Sequence, residues 1–137
     1  MKSHILILLL MTRLNVLRSC KVPTHKLIEK PWGYYIDIYR PEHKKVVFKR
    51  ILVDPDQQLS EQYHKERMEF WFIASGEGII TIDNWEMVVA EGDHVVILPT
   101  EKHTVKNTGD KALEIYELQG GKCDEGDIVR LSDKYGR

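Results

Sequence analysis

The sequence predicts an all-β domain, a barrel or sandwich of short antiparallel strands. Three observations carry that prediction. Apolar and polar residues alternate with a period of two over short runs, as on a strand with one buried face. Turn residues separate those runs at roughly eight-to-twelve-residue intervals. No long segment repeats its apolar residues with a helical period. The 137 residues, 42% hydrophobic and 30% charged, suit one domain around one core.

In chain order, residues 1–24 form an N-terminal extension ahead of a single domain over residues 25–137. The run Ile5 to Met11 is too short to span a bilayer. It is open to three readings: a signal or anchor segment, an extra strand or helix, or an upstream extension with Met11 or a later residue as the functional start. Pro23 and Pro31 punctuate the entry to the domain. Trp32, Tyr34 and Tyr35 surround Gly33 in KPWGYYIDIY, which alternates into a strand; the aromatics suit one end of a core. Residues 40–45 form a polar turn. Lys44 to Val53 reads as a strand with Val47, Lys49, Ile51 and Val53 on one face. FWFIA is expected to turn through Ser75-Gly76-Glu77-Gly78 and return as GIITI, a hairpin. Asp83-Asn84 turns into a strand over Trp85 to Ala90, and Glu91-Gly92-Asp93 turns into HVVIL. Pro99 to Lys102 is a loop, His103 starts HTVKN, and Ala112 to Gln119 alternates strongly.

One stretch, QYHKERMEFWFIASG from Gln62 to Gly76, carries the chemistry. Gln62 and His64 are two apart, so on a strand they share a face. Glu69 follows after a short turn and opens the next strand. With His103 they form a set of four that can grip one divalent metal inside a barrel. Imidazole, carboxylate and amide oxygen suit zinc, manganese, iron, cobalt or nickel better than copper(I). Taken alone, His64 reads equally as an exposed turn histidine and Glu69 as a solvated charge. The four at these spacings favour the metal.

The net charge of −1 gives no global reason to expect nucleic acid or an anionic membrane as a partner. Two cysteines, Cys20 and Cys123, lie far apart and outside metal-type spacing, which points to a reducing, cytoplasmic setting. There is no phosphate loop, no dinucleotide fingerprint and no obvious Ser-His-Asp set.

The residues carry a resemblance. Gln62, His64, Glu69 and Gly76 fall at the positions of the first cupin motif, with Gln62 where a histidine is usual. Gly92, His103 and Asn107 fit the second motif, with Pro99 shifted by one and Thr100 where a glycine is usual. The chain therefore resembles a cupin, a double-stranded β-helix or jelly-roll barrel. More narrowly, Gln62-x-His64 with Arg67, Glu69 and Trp71, the opening KPWGYY and the ending GDIVRLSDKYGR resemble the type II mannose-6-phosphate isomerase cupin. That module usually forms the C-terminal part of bifunctional enzymes that also carry a mannose-1-phosphate guanylyltransferase. The histidine run after the glutamine is reduced here to His64, with Lys65 and Glu66 following.

The resemblance implies a free-standing, metal-dependent isomerase of mannose 6-phosphate and fructose 6-phosphate, serving polysaccharide biosynthesis. It implies one divalent metal, zinc first, on Gln62, His64, Glu69 and His103. Arg67 and the terminal Arg137 are expected at the phosphate, since arginine's fork matches its geometry. Lys30 and Arg130 stand behind them, and Trp32 is a further substrate contact. Glu66 and Lys65 are the candidates for the proton-transferring base. A homodimer and a separate guanylyltransferase chain are the expected partners. Two other classes stay open: a metal-binding cupin acting on another substrate, and a non-catalytic sugar-binding module.

Overall fold

The computed structural model describes residues 25–137; the readings of residues 1–24 lie outside the described residues. Eleven strands follow in order: β1 Leu27–Lys30, β2 Gly33–Tyr39, β3 Val46–Val53, β4 Glu61–His64, β5 Arg67–Ser75, β6 Glu77–Ile82, β7 Trp85–Ala90, β8 His94–Ile97, β9 His103–Asn107, β10 Leu113–Gly121 and β11 Ile128–Ser132. The only helical turn among the described residues is a 3-10 turn at Glu125–Asp127. No helix there is long and apolar enough to cross a membrane.

The strands form two antiparallel sheets. One runs β1-β2-β3-β10-β5-β8 and the other β11-β4-β9-β6-β7. Ile51, Val53, Trp71, Ile73, Leu113 and Ile115 of the first pack with Ile80, Val89 and Val105 of the second in one core. The expected face of β3 is the inward one: Val47, Lys49, Ile51 and Val53 are all buried. The outer face of the six-stranded sheet exposes Met68, Phe72, Val96 and Leu118.

The expected FWFIA–GIITI hairpin does not form. β5 pairs with β10 and β8 in one sheet, while β6 pairs with β7 and β9 in the other. Gly76 is a corner between sheets, at φ +85, where a Cβ would come within 2.9 Å of the Ala112 carbonyl oxygen. Such a conformation and approach suit glycine alone. Asp83-Asn84 is a true hairpin turn, with Ile82 paired to Trp85. β1 and β11 were not read as strands in the sequence, because each is short and only part-buried.

Register places polar residues at one end of the inward face. Across β3, β10 and β5 the rows read Ile51–Ile115–Ile73, then Lys49–Glu117–Trp71, then Val47–Gln119–Glu69. One end of the barrel is apolar and the other carries buried charge. Asn107 ties the turn beyond β9: its Nδ2 donates to the carbonyls of Val53 and Lys111, and its Oδ1 accepts from the Gly109 amide.

Thr100 keeps the conformation of the glycine usual there, with φ 74. Its amide donates to the His64 carbonyl at 2.6 Å, which fastens the loop before His103 to β4. A β-branched residue at positive φ is strained by roughly 1–2 kcal/mol. Thr100→Gly is therefore expected to raise stability by about 1 kcal/mol after glycine's larger unfolded-state entropy is counted. Urea denaturation measures this, and a lower midpoint would mean that the threonine side chain makes up for the strain.

Candidate functional site

β4 and β9 bring Gln62 opposite His103, and β11 brings Arg130 opposite Gln62. β5 crosses from the other sheet with Arg67, Glu69 and Trp71 all facing inward. His64, Glu69 and His103 are buried, and one ligand atom of each lies within 4.8 Å of the others. His64 Nε2 stands 3.1 Å from Glu69 Oε1, and His103 Nε2 stands 3.5 Å from Glu69 Oε2. His103 Nδ1 lies 2.9 Å from the Glu101 carbonyl oxygen. That carbonyl can only accept, so Nδ1 carries a proton and Nε2 is turned inward. Nε2 has no hydrogen-bond partner, although it is buried. A buried ring nitrogen oriented by a carbonyl on its other side is the arrangement of a metal-ligating histidine. Two imidazoles and a carboxylate therefore fit a divalent cation. Gln62 lines the same cleft, where its Oε1 accepts from Ser60 Oγ.

Charge inside this cluster is strongly coupled. Burial disfavours ionised Glu69, yet the adjacent His103 and His64 imidazoles hold its carboxyl well below the usual range. Burial likewise disfavours a charged His103, but Glu69 and the Glu101 carbonyl lift its pKa. A metal would take the place of that imidazolium proton. Arg67 belongs to the same cluster: its Nε donates to Glu69 Oε1 at 3.1 Å, and its Nη2 lies 3.0 Å from His64 Nε2. The ion pair with Glu69, an alternative to a phosphate contact, is thus formed. A bound metal would exchange the bond to His64.

An open cleft leads to the cluster, and most of the expected residues line it: Lys30, Trp32, Gln62, Arg67, Glu69, Arg130 and Arg137. Trp32 lines the cleft and is also part of the core. The C-terminus is not frayed: the amide and Nε of Arg137 both donate to Asp133 Oδ2. Lys30 and Arg130 make no ion pair among the described residues.

Lys65 and Glu66, the expected base candidates, are not brought to the cleft. They form the exposed turn where the chain leaves β4 for the other sheet, and Glu66 pairs with Lys122 at 2.7 Å. The cleft also contains groups not assigned to the site from the sequence: Tyr35, Lys49, Glu117, Gln119 and Glu125. Burial, then the charge of Glu69, pushes the Glu117 carboxyl up to about 7. The polar positions within the apolar alternation of β3 and β10 were the available signal, since a strand of this kind buries every second residue.

Comparison with known proteins follows from this geometry. Residues 18–133 match the family described as mannose-6-phosphate isomerase C-terminal. The mannose-1-phosphate guanylyltransferase of Salmonella montevideo is 43% identical over 115 residues, which is 83% of this chain and 24% of that protein. The chain spans about a quarter of the length of the curated relatives it matches. Among solved structures, the capsular polysaccharide assembling protein CapF of Staphylococcus aureus superposes with TM-score 0.70 at 16% identity, over 80% of this chain and 33% of that one. A cupin-2 domain protein of Rhodospirillum rubrum superposes with TM-score 0.67 at 15% identity, over 81% and 78% of the two chains. The fold is the cupin double-stranded β-helix.

Two predictions follow from the site. His64→Ala and His103→Ala are each expected to abolish metal retention while the barrel stays folded, read by elemental analysis after gel filtration and by circular dichroism. Full metal content in either variant would remove that residue from the ligand set. In metal-stripped protein, a carboxyl raised from 4.5 to about 7 takes up a proton on folding between those values. Stability from this group is complete below about 4.5 and is lost as pH climbs to about 7, by roughly 3 kcal/mol. Glu117→Gln should flatten that slope in urea titrations between pH 4.5 and pH 7.5, and an unchanged slope would place the proton elsewhere.

Proposed function

The chain belongs to the mannose-6-phosphate isomerase C-terminal family, and from that membership we propose that it is a metal-dependent sugar-phosphate isomerase interconverting mannose 6-phosphate and fructose 6-phosphate. Its setting is cytoplasmic and its product feeds GDP-mannose and polysaccharide synthesis. The observation that carries this reading is one cleft holding both kinds of group the substrate needs. At depth Gln62 and Glu69 line it, with the buried His64 and His103 imidazoles against Glu69; nearer solvent lie Lys30, Arg130 and Arg137.

His64, Glu69, His103 and Gln62 would hold the metal, zinc first among the candidates. When bound, it supplies polarisation of the sugar carbonyl and so acidifies the neighbouring C–H. Lys30 and Arg130, which pair with no carboxylate among the described residues, hold the phosphate, and Arg137, steadied by Asp133, joins them at the rim of the cleft. Trp32 walls the cleft and excludes water from one side. A homodimer and a separate guanylyltransferase chain are the partners this reading carries. A second reading, a non-catalytic sugar-binding module, is favoured by one observation: the relatives bear the name of the nucleotide-transferring activity, and this chain covers a quarter of them.

The test is a coupled assay for fructose 6-phosphate, on protein stripped by chelator and reloaded separately with zinc, manganese, cobalt and nickel. Metal-restored turnover is expected, and Arg130→Ala should raise KM at least tenfold, the cost of one charge-assisted contact. Stoichiometric metal binding without turnover on any metal would favour the binding module.

A further inference from the structure

The isomerase reading needs a group that carries a proton between two adjacent carbons, and this inference rests on that reading. We propose that Glu117 is that group, the general base and acid of the site.

Elimination among the carboxylates of the cleft comes first. Glu69 is shared among His64, His103 and Arg67. Glu125 is bound at 2.7 Å by Arg40 and at 3.0 Å by Lys49, and about half of its side chain is exposed. Glu117 has neither engagement. Its nearest cation, Lys49, stands 3.9 Å away and is already bound to Glu125. Glu117 is 5% exposed and lines the cleft.

Its orientation is fixed from both sides. Trp71 Nε1 donates to Glu117 Oε2 at 3.2 Å, and Gln119 Nε2 donates to Oε1. The same indole N–H lies 3.1 Å from Glu69 Oε2. One donor thus bridges the carboxylate of the metal cluster and the carboxylate proposed to move the proton. The register that puts Glu117 opposite both Trp71 and Lys49 holds it on a rigid central strand, as a proton carrier requires. Lys49, 4.7 Å over the Tyr35 ring, completes the wall behind it.

The step balances without an outside reactant. In the open-chain aldose, Glu117 takes the proton from C2. The C2–H electron pair becomes the C1=C2 bond, and the carbonyl π pair moves to O1. The hydroxyl proton of O2 passes to O1 as the C2=O bond forms. The C1=C2 pair then takes the proton back from Glu117 at C1, and the ketose results. C1 is reduced and C2 oxidised within one molecule.

The experiment uses the metal-reloaded protein in deuterium oxide and follows mannose 6-phosphate by proton NMR. Wild type should replace the C2 proton and deliver deuterium to C1. Glu117→Gln should lose exchange and turnover by 10²-fold to 10⁴-fold, the usual worth of a positioned acid–base group, with metal content unchanged and fructose 6-phosphate still bound by calorimetry. Glu117→Ala should regain at least tenfold of the lost rate with added formate, a rescue that a merely structural role would not give. Glu117→Gln within tenfold of an active wild type overturns the assignment and leaves the isomerase reading standing. Loss of activity in Glu117→Ala with no formate rescue also overturns it, since the residue then only positions Trp71 and Lys49. A wild type that exchanges nothing with any metal overturns the isomerase reading, and this proposal with it.

Discussion

Charge buried at one end of a small barrel is the constraint on which the rest of the structure depends. Glu69, His64, His103, Arg67, Lys49 and Glu117 are all nearly inaccessible, and an unpaired charge in such surroundings is costly. The structure answers by sharing. Glu69 meets two imidazoles and a guanidinium, and the Trp71 indole spans Glu69 and Glu117. Removing any one member leaves a buried partner unsatisfied. The apolar rows beneath, from Ile51 through Ile115 to Ile73, supply the hydrophobic stabilisation that offsets this expense.

That arrangement requires both sheets. His64 and His103 come from the five-stranded sheet and Glu69 from the six-stranded one. The chain therefore crosses between sheets immediately after His64 and again after Ser75. The first crossing makes the exposed turn of Lys65 and Glu66, and the second makes the Gly76 corner. Local sequence shows that a turn occurs at each place. It does not show that the following strand joins the other sheet, because pairing depends on residues far along the chain. This is why the expected hairpin through Gly76 looked plausible and does not form. The Asp83-Asn84 turn was legible because both of its strands stay in one sheet.

The site was legible to a similar depth. Gln62, His64, Glu69 and His103 could be read because spacing on a strand determines which face a side chain takes, and a motif fixed the distance to His103. Arg130 and Arg137 were read from the ending's similarity alone. Lys49 and Glu117 were missed for a physical reason. A lysine or glutamate on an alternating strand is ordinarily read as part of a solvated face, and here the alternation puts it inside. Val47, Lys49, Ile51 and Val53 were placed on one face, so the burial of Lys49 followed from that reading once the face was known to be inward. Its consequence, that an opposite acid must sit on the neighbouring strand, depended on a register that only the fold provides.

Arg67 decides how the cations of the cleft divide their work. Its Nε and Nη2 point at Glu69 Oε1 and His64 Nε2, the same lone pairs a metal would take. An N–H donor and a metal cannot share one lone pair. Two unit charges 4 Å apart repel by about 4 kcal/mol at an effective dielectric of 20, and a divalent ion doubles that. On His64 Nε2, which has one lone pair, Arg67 and a metal therefore exclude each other, and loading must move Nη2 aside. Arg67 Nη1 is already buried without a partner, so the arginine gives up that bond from a set that is not saturated. Its Nε donates to Glu69 and its Nη2 meets His64, so it ties the carboxylate to one of the two imidazoles. Lys30 and Arg130 differ from it in this respect: they line the same cleft and pair with no carboxylate among the described residues.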